Sequence, residues 1–391
     1  MTFWKTLSRP VIGLSPMDGV TDSAFRLVTA CQGKPDVIFT EFTHVHDVCR
    51  GPEFLMESLR YDEAERPVMA QLYGKDPELF YQAAHVVCEL GFDGLDINMG
   101  CPSRNVASSG SGAGLIRTPD LAHAIMRAAR QGIADWTGGQ SLEGSGLKAA
   151  RADIVHRWNA RRRQRPTAVR SAIPLSVKTR LGYDEVIVER WIEHLLLESP
   201  AVISLHGRTL QQMYRGEADW SAIGRAAQIV RGTDTLLFGN GDVQSLSDVL
   251  RRVGETNVDG VLVGRAALGA PWFFRDKEEA RRRAQSGQPW EHAPWAPSLA
   301  DRFEVLLAHA RQFDAHYGPH EFRRMRKHLG WYCKGFPYAA ALRARMFLVS
   351  SVAEVEAAIA DYQHGRLLDD RPADDATAKE RETAHLASRC G

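Results

Sequence analysis

The sequence has few cysteines for its length and no pattern that pairs them. Its 391 residues include 6 cysteines, with no C-x-x-C pair and no Cys/His cluster at zinc spacing. A disulfide-stapled scaffold and a structural metal are therefore not expected, and we predict no metal site. A long apolar run is also missing near the N-terminus, so neither a signal peptide nor a membrane span is expected. By default we expect a cytoplasmic protein without membrane contact.

A strong excess of charge of one sign is absent as well. The chain has 49 Lys+Arg and 48 Asp+Glu, a net charge of +1, but residues 151–170 contain seven arginines and one acid, Asp153. The composition, 44% hydrophobic and 25% charged, is that of an ordinary globular protein with a sizeable core. The length favours either two domains or one large barrel with an appendage.

Short apolar segments recur along the chain, and each ends in polar residues and is followed by a helical pattern. This alternation is typical of parallel β/α units. Eight such segments begin at Val11, Asp36, Pro67, Gly94, Leu175, Val202, Thr235 and Gly260. Eight parallel strands close a TIM-type barrel, whose active site lies at the C-terminal ends of the strands. The fold class predicted is α/β, a (β/α)8 barrel.

The connection between the fourth and fifth predicted strands is unusually long. After a helix predicted from Pro119 to about Arg130, roughly forty residues precede the next strand, whereas ~2–6 are usual. This predicts an insertion at about 132–171. Its basic second part, residues 147–165, has helical spacing and is either a solvated surface helix or a contact for RNA phosphate.

The chain changes character after the eighth segment. A Pro/Trp-rich stretch at residues 289–298 is typical of a linker, and the pattern is helical from Leu299 to about Tyr362. The residues from about Leu368 are charged and poor in apolar side chains, which predicts a poorly ordered tail. We therefore expect a barrel at 1–296, a helical domain at 297–366 and a tail at 367–391.

Glycine-rich motifs close the seventh and eighth predicted strands, GNGDV at 239–243 and GVLVGRA at 260–266. In barrels these two loops often bind phosphate, because glycines let backbone N–H groups approach the anion. Arg265 would add positive charge. The alternative is that the glycines only serve tight turns.

Other strand ends supply groups that suit a flavin, and FMN is the cofactor that such a barrel commonly holds. Lys178 could stabilise the negative charge of the reduced ring, and the amide of Gln71 could pair with its polar edge. His206 ends another strand. Each of the three could instead be a solvated or salt-bridged residue at the end of its strand.

Cys101 follows the fourth strand in DINMGCPS, between Gly100 and Pro102. A lone cysteine is often a buried packing residue, but a thiol on the catalytic face of a barrel is placed to exchange a proton. The others lack this context, and we interpret four as packing residues and the last as a tail thiol: Cys31, Cys49, Cys88, Cys333 and Cys390.

Several motifs together resemble one family, the tRNA-dihydrouridine synthases. They are SPMDGVTDSAFR, TEF, AQLYG, DINMGCPS, VKTRLGY, LHGRT, GNGD and VGRAALGAPW, in the family's order and spacing. The run HYGPHEFRRMRKHLGWYCKGFPYAAALR resembles the helical domain of the bacterial B-type members. The resemblance covers most of the chain, and the combination of GCPS, VKTR and HGRT is specific. The long basic insertion departs from the family's compact connection.

The resemblance implies FMN as cofactor, NADPH or NADH as reductant, and tRNA as substrate of a monomeric enzyme. Hydride would pass from flavin N5 to C6 of a D-loop uridine, and Cys101 would give the proton to C5. The residues implied to contact FMN are Pro16, Met17, Asp18, Gln71, Lys178, His206, Asn240, Gly241, Asp242, Gly264 and Arg265. Those implied to meet the uracil are Asn98, Lys178, Arg180 and His206. Those expected to face RNA phosphates are Arg323, Arg324, Arg326, Lys327 and Lys334.

Two other functions remain open from the residues alone. One is an FMN barrel that reduces a small molecule, of the dihydroorotate or enoate type. The other is an RNA-binding protein that has lost its chemistry. Trp331 and Tyr332 likewise allow two interpretations, contact with RNA or packing inside the helical domain.

Overall fold

All the strands in the described part of the chain run in parallel. The computed structural model describes residues 3–161, 170–286 and 295–366. The strands are β1 (Val11–Leu14), β2 (Ile38–Phe39), β3 (Thr43–His44), β4 (Val68–Tyr73), β5 (Gly94–Met99), β6 (Leu175–Arg180), β7 (Val202–His206), β8 (Leu236–Asn240) and β9 (Gly260–Val263). Eight of them form a closed ring, β1-β2-β4-β5-β6-β7-β8-β9, and the short β3 pairs with the C-terminal end of β4. The eight ring strands are the eight predicted segments, which confirms the (β/α)8 barrel.

Helices connect the strands and continue beyond the barrel. They are α1 (Ser23–Gln32), α2 (Val45–Cys49), α3 (Pro77–Glu89), α4 (Arg104–Ser108), α5 (Pro119–Thr137), α6 (Ala149–Arg161), α7 (Val188–Leu196), α8 (Trp220–Val230), α9 (Leu246–Thr256), α10 (Lys277–Gln285), α11 (Leu299–Tyr317), α12 (Arg326–Tyr332), α13 (Ala339–Met346) and α14 (Val352–Gln363). Short 3₁₀ helices lie at Phe3–Lys5, Glu53–Leu59, Glu63–Glu65, Gly112–Arg117, Glu143–Ser145, Arg265–Ala267, Pro271–Phe274 and Pro319–Met325. Within the described ranges, no helix has both the length and the apolar character needed to cross a membrane.

Capping residues explain where two long helices begin. Asp76 accepts hydrogen bonds from the backbone N–H groups at the start of α3, whose first residue is Pro77. Ser298 and Asp301 form a reciprocal capping box at the start of α11. Both arrangements satisfy backbone donors that a helix leaves unpaired, so these helices begin where the local sequence directs.

The insertion between β5 and β6 contains α6, which lies against the outside of the barrel. The preceding helix α5 continues to Thr137 and is longer than predicted. Arg151 of α6 is buried and donates to the sulfur of Met56 and the carbonyl of Gly51. Because both acceptors belong to the barrel, this arginine is a packing and hydrogen-bonding residue.

Two further basic residues of the insertion also contact barrel acids. Arg157 lies 3.1 Å from Glu53, and Arg170 lies 3.9 Å from Glu89. The indole N–H of Trp158 donates to Glu53 at 2.7 Å. For these residues the structure favours protein contacts over RNA phosphate. The arginines at 162, 163 and 165 lie outside the described residues.

Helices α11 to α14 have a hydrophobic core of their own, to which α1 contributes Ala24 and Val28. A buried ion pair, Arg26 to Glu65 at 2.7 Å, anchors the other side of α1. The C-terminal helices therefore pack against the barrel through α1. The domain boundary predicted at 296/297 stays a prediction. Most of the predicted linker and the predicted tail lie outside the described residues.

Candidate active site

The inside of the barrel changes from apolar to polar along the strands. Met69 and Val202 belong to a buried apolar cluster that Trp4 closes from the N-terminal segment. Two residues further along the same strands lie Gln71 and Ser204, and alternate residues of a strand share a face. Polar side chains therefore fill the C-terminal end of the barrel, where barrel enzymes carry their active sites. This polar layer comprises Gln71, Asp96, Asn98, Ser176, Lys178, Arg180, Ser204, His206 and Asn240.

A chain of hydrogen bonds runs through the polar layer to Cys101. The side-chain N–H of Gln71 donates to Asp96 at 2.6 Å, and that of Asn98 donates to the Gln71 oxygen at 2.9 Å. The Asn98 oxygen in turn accepts the backbone N–H groups of Gly100, at 3.0 Å, and Cys101, at 2.8 Å. The turn that carries the thiol is thus held by side chains from β4 and β5.

Cys101 is buried on a turn that is also held from the opposite side. Arg180 donates from Nε to the carbonyl of Gly100 at 2.7 Å. Gly112 has a φ of +56°, and a Cβ there would lie 3.1 Å from the Cys101 Cβ, so this position requires glycine. Burial raises the pKa of the Cys101 thiol. At neutral pH the side chain is therefore a protonated thiol, able to donate a proton.

Three cationic or potentially cationic side chains surround this region. Burial and the neighbouring Arg180 lower the pKa of Lys178 to about 8, while its ammonium donates to the Asn240 oxygen at 3.3 Å. Burial lowers the pKa of Arg180 to about 10. Burial, together with Arg180 and Lys178, holds the pKa of His206 well below its usual range. His206 is therefore neutral, and the site carries positive charge that favours an anionic ligand.

The loop after β8 is organised around Asp242. One carboxylate oxygen accepts from Arg208 at 2.6 Å and the other from Arg265 at 2.7 Å. Gly241 has a φ of +128°, and a Cβ there would lie 2.6 Å from the Ala218 Cβ, so only glycine fits. The two arginines thus follow β7 and β9 and lie next to a glycine turn. The phosphate site stays a prediction.

The loop after β1 brings three predicted residues to the same rim. Met17, which follows Pro16, exchanges hydrogen bonds with the Thr21 hydroxyl, and a Cβ added at Gly264 would lie 3.3 Å from its sulfur. Asp18 is exposed, and partial desolvation raises the pKa of its carboxyl. The structure therefore places Met17, after β1, next to Gly264, after β9.

Two observations fit a bound FMN. The rim carries the N–H donors of Lys178, Arg208 and Arg265, of which the two arginines pair with Asp242 and the lysine with Asn240. Such donors suit a phosphate and an anionic ring. In addition, the buried hydroxyl of Ser204, level with Lys178 in the sheet register, has no hydrogen-bond partner within the described ranges. A buried polar group without a partner marks a position where a ligand or water is expected.

Three of the five residues predicted to face RNA make contacts inside the protein. One of them, Lys334, donates to the backbone carbonyl of Leu268 at 3.1 Å. Arg326 donates to the backbone carbonyls of Leu348 and Val349, at 2.8 and 2.7 Å. Lys327 donates to the carbonyl of Gly19, next to Asp18 in the loop after β1. Arg326 thus holds the segment between α13 and α14, and Lys327 joins the C-terminal helices to the rim of the barrel.

The other two residues predicted to face RNA lie on the surface. Arg323 and Arg324 are exposed, and Arg324 pairs with Glu321 at 3.4 Å and lies over the ring of Tyr317. Tyr332, in contrast, is buried and its hydroxyl lies 3.1 Å from His309. The packing interpretation of Tyr332 is therefore correct.

The sequence interpretation missed four residues of the site and misjudged one cysteine. The four are Asp96, Ser176, Ser204 and Arg208, although Asp96 stands two positions before Asn98 and so shares its strand face. Cys31 was expected to pack, but it is exposed on α1, because its position falls on the outer side of that helix.

The fold and the polar layer around Cys101 define a TIM-barrel enzyme. A model of the dihydrouridine synthase (Dus) family matches residues 13–135 and 162–365 and leaves out the stretch that contains α6. The chain belongs to this family, and it is an oxidoreductase.

Curated relatives are similar over nearly the whole chain. "Probable tRNA-dihydrouridine synthase 2" of Bacillus subtilis (strain 168) is 32% identical, covering 92% of this chain and 96% of the relative. "Probable tRNA-dihydrouridine synthase" of Staphylococcus aureus (strain MRSA252) is 30% identical, covering 92% and 95%. Among solved structures, morphinone reductase in complex with tetrahydroNAD matches with a TM-score of 0.41 and 11% identity, over 77% of this chain and 92% of that chain.

Proposed function

We propose that this protein is a tRNA-dihydrouridine synthase that reduces the C5–C6 double bond of a D-loop uridine in tRNA, with FMN as cofactor and NADPH or NADH as reductant. One observation carries the proposal beyond the family assignment. The buried Cys101 thiol, whose pKa is raised, lies at the C-terminal rim of the barrel near the cationic Lys178 and Arg180.

The residues that would hold FMN come from six strand ends, those of β1, β4, β6, β7, β8 and β9. The phosphate of FMN would contact the glycine turns at Gly241 and Gly264 and the guanidinium of Arg265. The flavin ring would contact the amide of Gln71 and the ammonium of Lys178. They are Pro16, Met17, Asp18, Gln71, Lys178, His206, Asn240, Gly241, Asp242, Gly264 and Arg265. Bound and reduced FMN would supply the hydride for C6 of the uracil.

Cys101 would supply the proton for C5, which completes the reduction of the double bond. Because burial raises the pKa of its thiol, Cys101 keeps that proton at neutral pH until the substrate takes it. The thiolate that remains is stabilised by the positive charges of Lys178 and Arg180, both of which favour its negative charge. A proton from solvent then restores the thiol.

Asn98, Arg180 and His206 would orient the uracil. Asn98 and the guanidinium of Arg180 both hold the Cys101 turn, so groups that contact the base also position the acid. His206 is neutral and offers one donor and one acceptor. The uridine must leave its stack at a cost of roughly a few kcal/mol, which is least in a loop such as the D loop.

Exposed Arg323 and Arg324 would contact tRNA phosphates, and Lys327 would join this surface to the rim of the active site. Such contacts recognise the charge and the shape of the tRNA backbone.

An absorbance spectrum of the purified protein, followed by NADPH-driven dihydrouridine formation on unmodified tRNA, tests the proposal. Flavin bands near about 450 nm together with the dihydrouridine product are expected. A colourless protein that binds tRNA would point to a non-catalytic RNA-binding protein. A yellow protein inert towards tRNA would point to a reductase of small molecules.

A further inference from the structure

Asp96 occupies the centre of the polar layer, and its carboxylate has two protein partners. It lies fully buried on β5, level with Gln71 on β4 and with Ser176 on β6. One oxygen accepts from Gln71 at 2.6 Å, and the other accepts from the Ser176 hydroxyl at 2.7 Å. Burial raises the pKa of Asp96 to about 6, so the group is still a carboxylate at neutral pH.

A carboxylate only accepts hydrogen bonds, so it determines which end of a neighbouring amide faces it. Asp96 selects the NH2 group of Gln71, which turns the Gln71 oxygen towards the NH2 group of Asn98. That in turn leaves the Asn98 oxygen to accept the N–H groups of Gly100 and Cys101. Reversal of either amide would bring two donors or two acceptors together.

We infer that Asp96 is a positioning residue, which sets the orientation of the Gln71 and Asn98 amides and through them holds the turn that carries the Cys101 thiol. The same chain determines which hydrogen-bonding groups Gln71 and Asn98 have left for a bound flavin and uracil. The importance of Asp96 for catalysis rests on the proposed function, whereas the chain of hydrogen bonds from Asp96 to the Cys101 turn does not.

The reactivity of Cys101 tests this inference without cofactor or tRNA. The rate of alkylation by iodoacetamide is measured for each cysteine of the flavin-free protein by peptide mass spectrometry. Buried Cys88 on α3 reports general loosening of the fold, and exposed Cys31 reports the activity of the reagent. These internal controls separate a loss of positioning from a loss of stability.

Three variants are compared with the wild type. Asp96→Ala removes the acceptor and is expected to raise the Cys101 rate about fivefold or more, with the Cys88 rate unchanged. Asn98→Ala, which removes the direct contact with the turn, is expected to do the same. Asp96→Asn keeps an acceptor oxygen for Gln71 and a donor for Ser176, so its Cys101 rate is expected within about twofold of wild type.

The inference is overturned if Cys101 stays unreactive in Asp96→Ala while it reacts in Asn98→Ala. It is also overturned if the rates of Cys101 and Cys88 rise together, because Asp96 would then only stabilise the barrel. Should Asp96→Ala fail to fold, Gln71→Met breaks the same chain and is judged by the same criteria. A wild type that does not reduce tRNA uridine would defeat the proposed function and leave this result intact.

Discussion

The side-chain oxygen of Asn98 accepts the backbone N–H of Cys101 at 2.8 Å. The two residues are three positions apart, one at the end of β5 and the other on the turn after it. The residue expected to orient the uracil therefore also fixes the turn that presents the acid. Under the proposed function, this contact would couple the orientation of the substrate to the donation of the proton.

Replacement of Cys101 by alanine is expected to remove the proton donor and leave the flavin site intact. Uridine reduction should fall by about 10²–10⁴-fold, the usual contribution of a general acid. The measurements are dihydrouridine formed per unit time and the flavin content of the purified variant. Cys31→Ala, at an exposed position on α1, is the matched control and should behave as wild type. Full turnover by Cys101→Ala would show that another group donates the proton.

FMN affinity is expected to fall as the pH rises above about 8. Burial lowers the pKa of Lys178 to about 8 in the protein without cofactor, and an anionic ligand would raise it. The favourable contribution of the Lys178 ammonium to FMN binding is thus fully present below the pKa of the cofactor-free protein. It is lost as the pH rises above that value, by up to about tenfold in Kd per pH unit. Titration of the flavin-free protein, followed by flavin fluorescence, measures this.

Lys178→Met should bind FMN more weakly and lose most of the pH dependence above about 8. Lys148→Met, at an exposed position in the insertion, controls for the loss of one lysine and should keep it. The same pH dependence in Lys178→Met would assign the titration to a different group.

Charge reversal on the exposed C-terminal surface is expected to weaken tRNA binding. Arg323→Glu combined with Arg324→Glu should raise the Kd for tRNA by about tenfold or more and reduce the dependence of log Kd on log salt by about one per lost contact. NADPH oxidation should not change. Filter binding at several salt concentrations measures the effect.

A matched double variant distinguishes a local contact from a change in net charge. Arg225→Glu with Arg251→Glu reverses two half-exposed arginines on α8 and α9, outside the barrel. It should leave tRNA affinity close to wild type. An equal loss of affinity in both double variants would show that only overall charge matters.

The buried pair between Arg26 and Glu65 is expected to be important for stability. Both side chains are fully buried, so Glu65→Ala leaves an uncompensated guanidinium and should lower the free energy of unfolding by about 3–5 kcal/mol. Glu189→Ala breaks the exposed pair with Arg225 and should cost about 1 kcal/mol or less. Urea unfolding monitored by circular dichroism measures the free energy of unfolding of both variants. Equal losses would show that burial does not make the pair between Arg26 and Glu65 more important for stability.

Local patterns in the sequence determined much of this protein. The eight apolar segments predicted the eight ring strands, because the alternation of strand and helix depends on short-range periodicity. The position of Cys101 after the fourth segment placed it at the rim, because the C-terminal ends of parallel strands meet at one end of a barrel.

Contacts between distant strands were decided only by the tertiary structure. The bond between Asp96 and Gln71 depends on the register of β4 and β5, and the buried contacts of Arg151 depend on where α6 packs. The lowered pKa of Lys178 depends on burial and on Arg180, which approaches it in the folded barrel. Strand register, burial and the electrostatic field depend on residues that are far apart in the chain, so a local sequence pattern does not contain them.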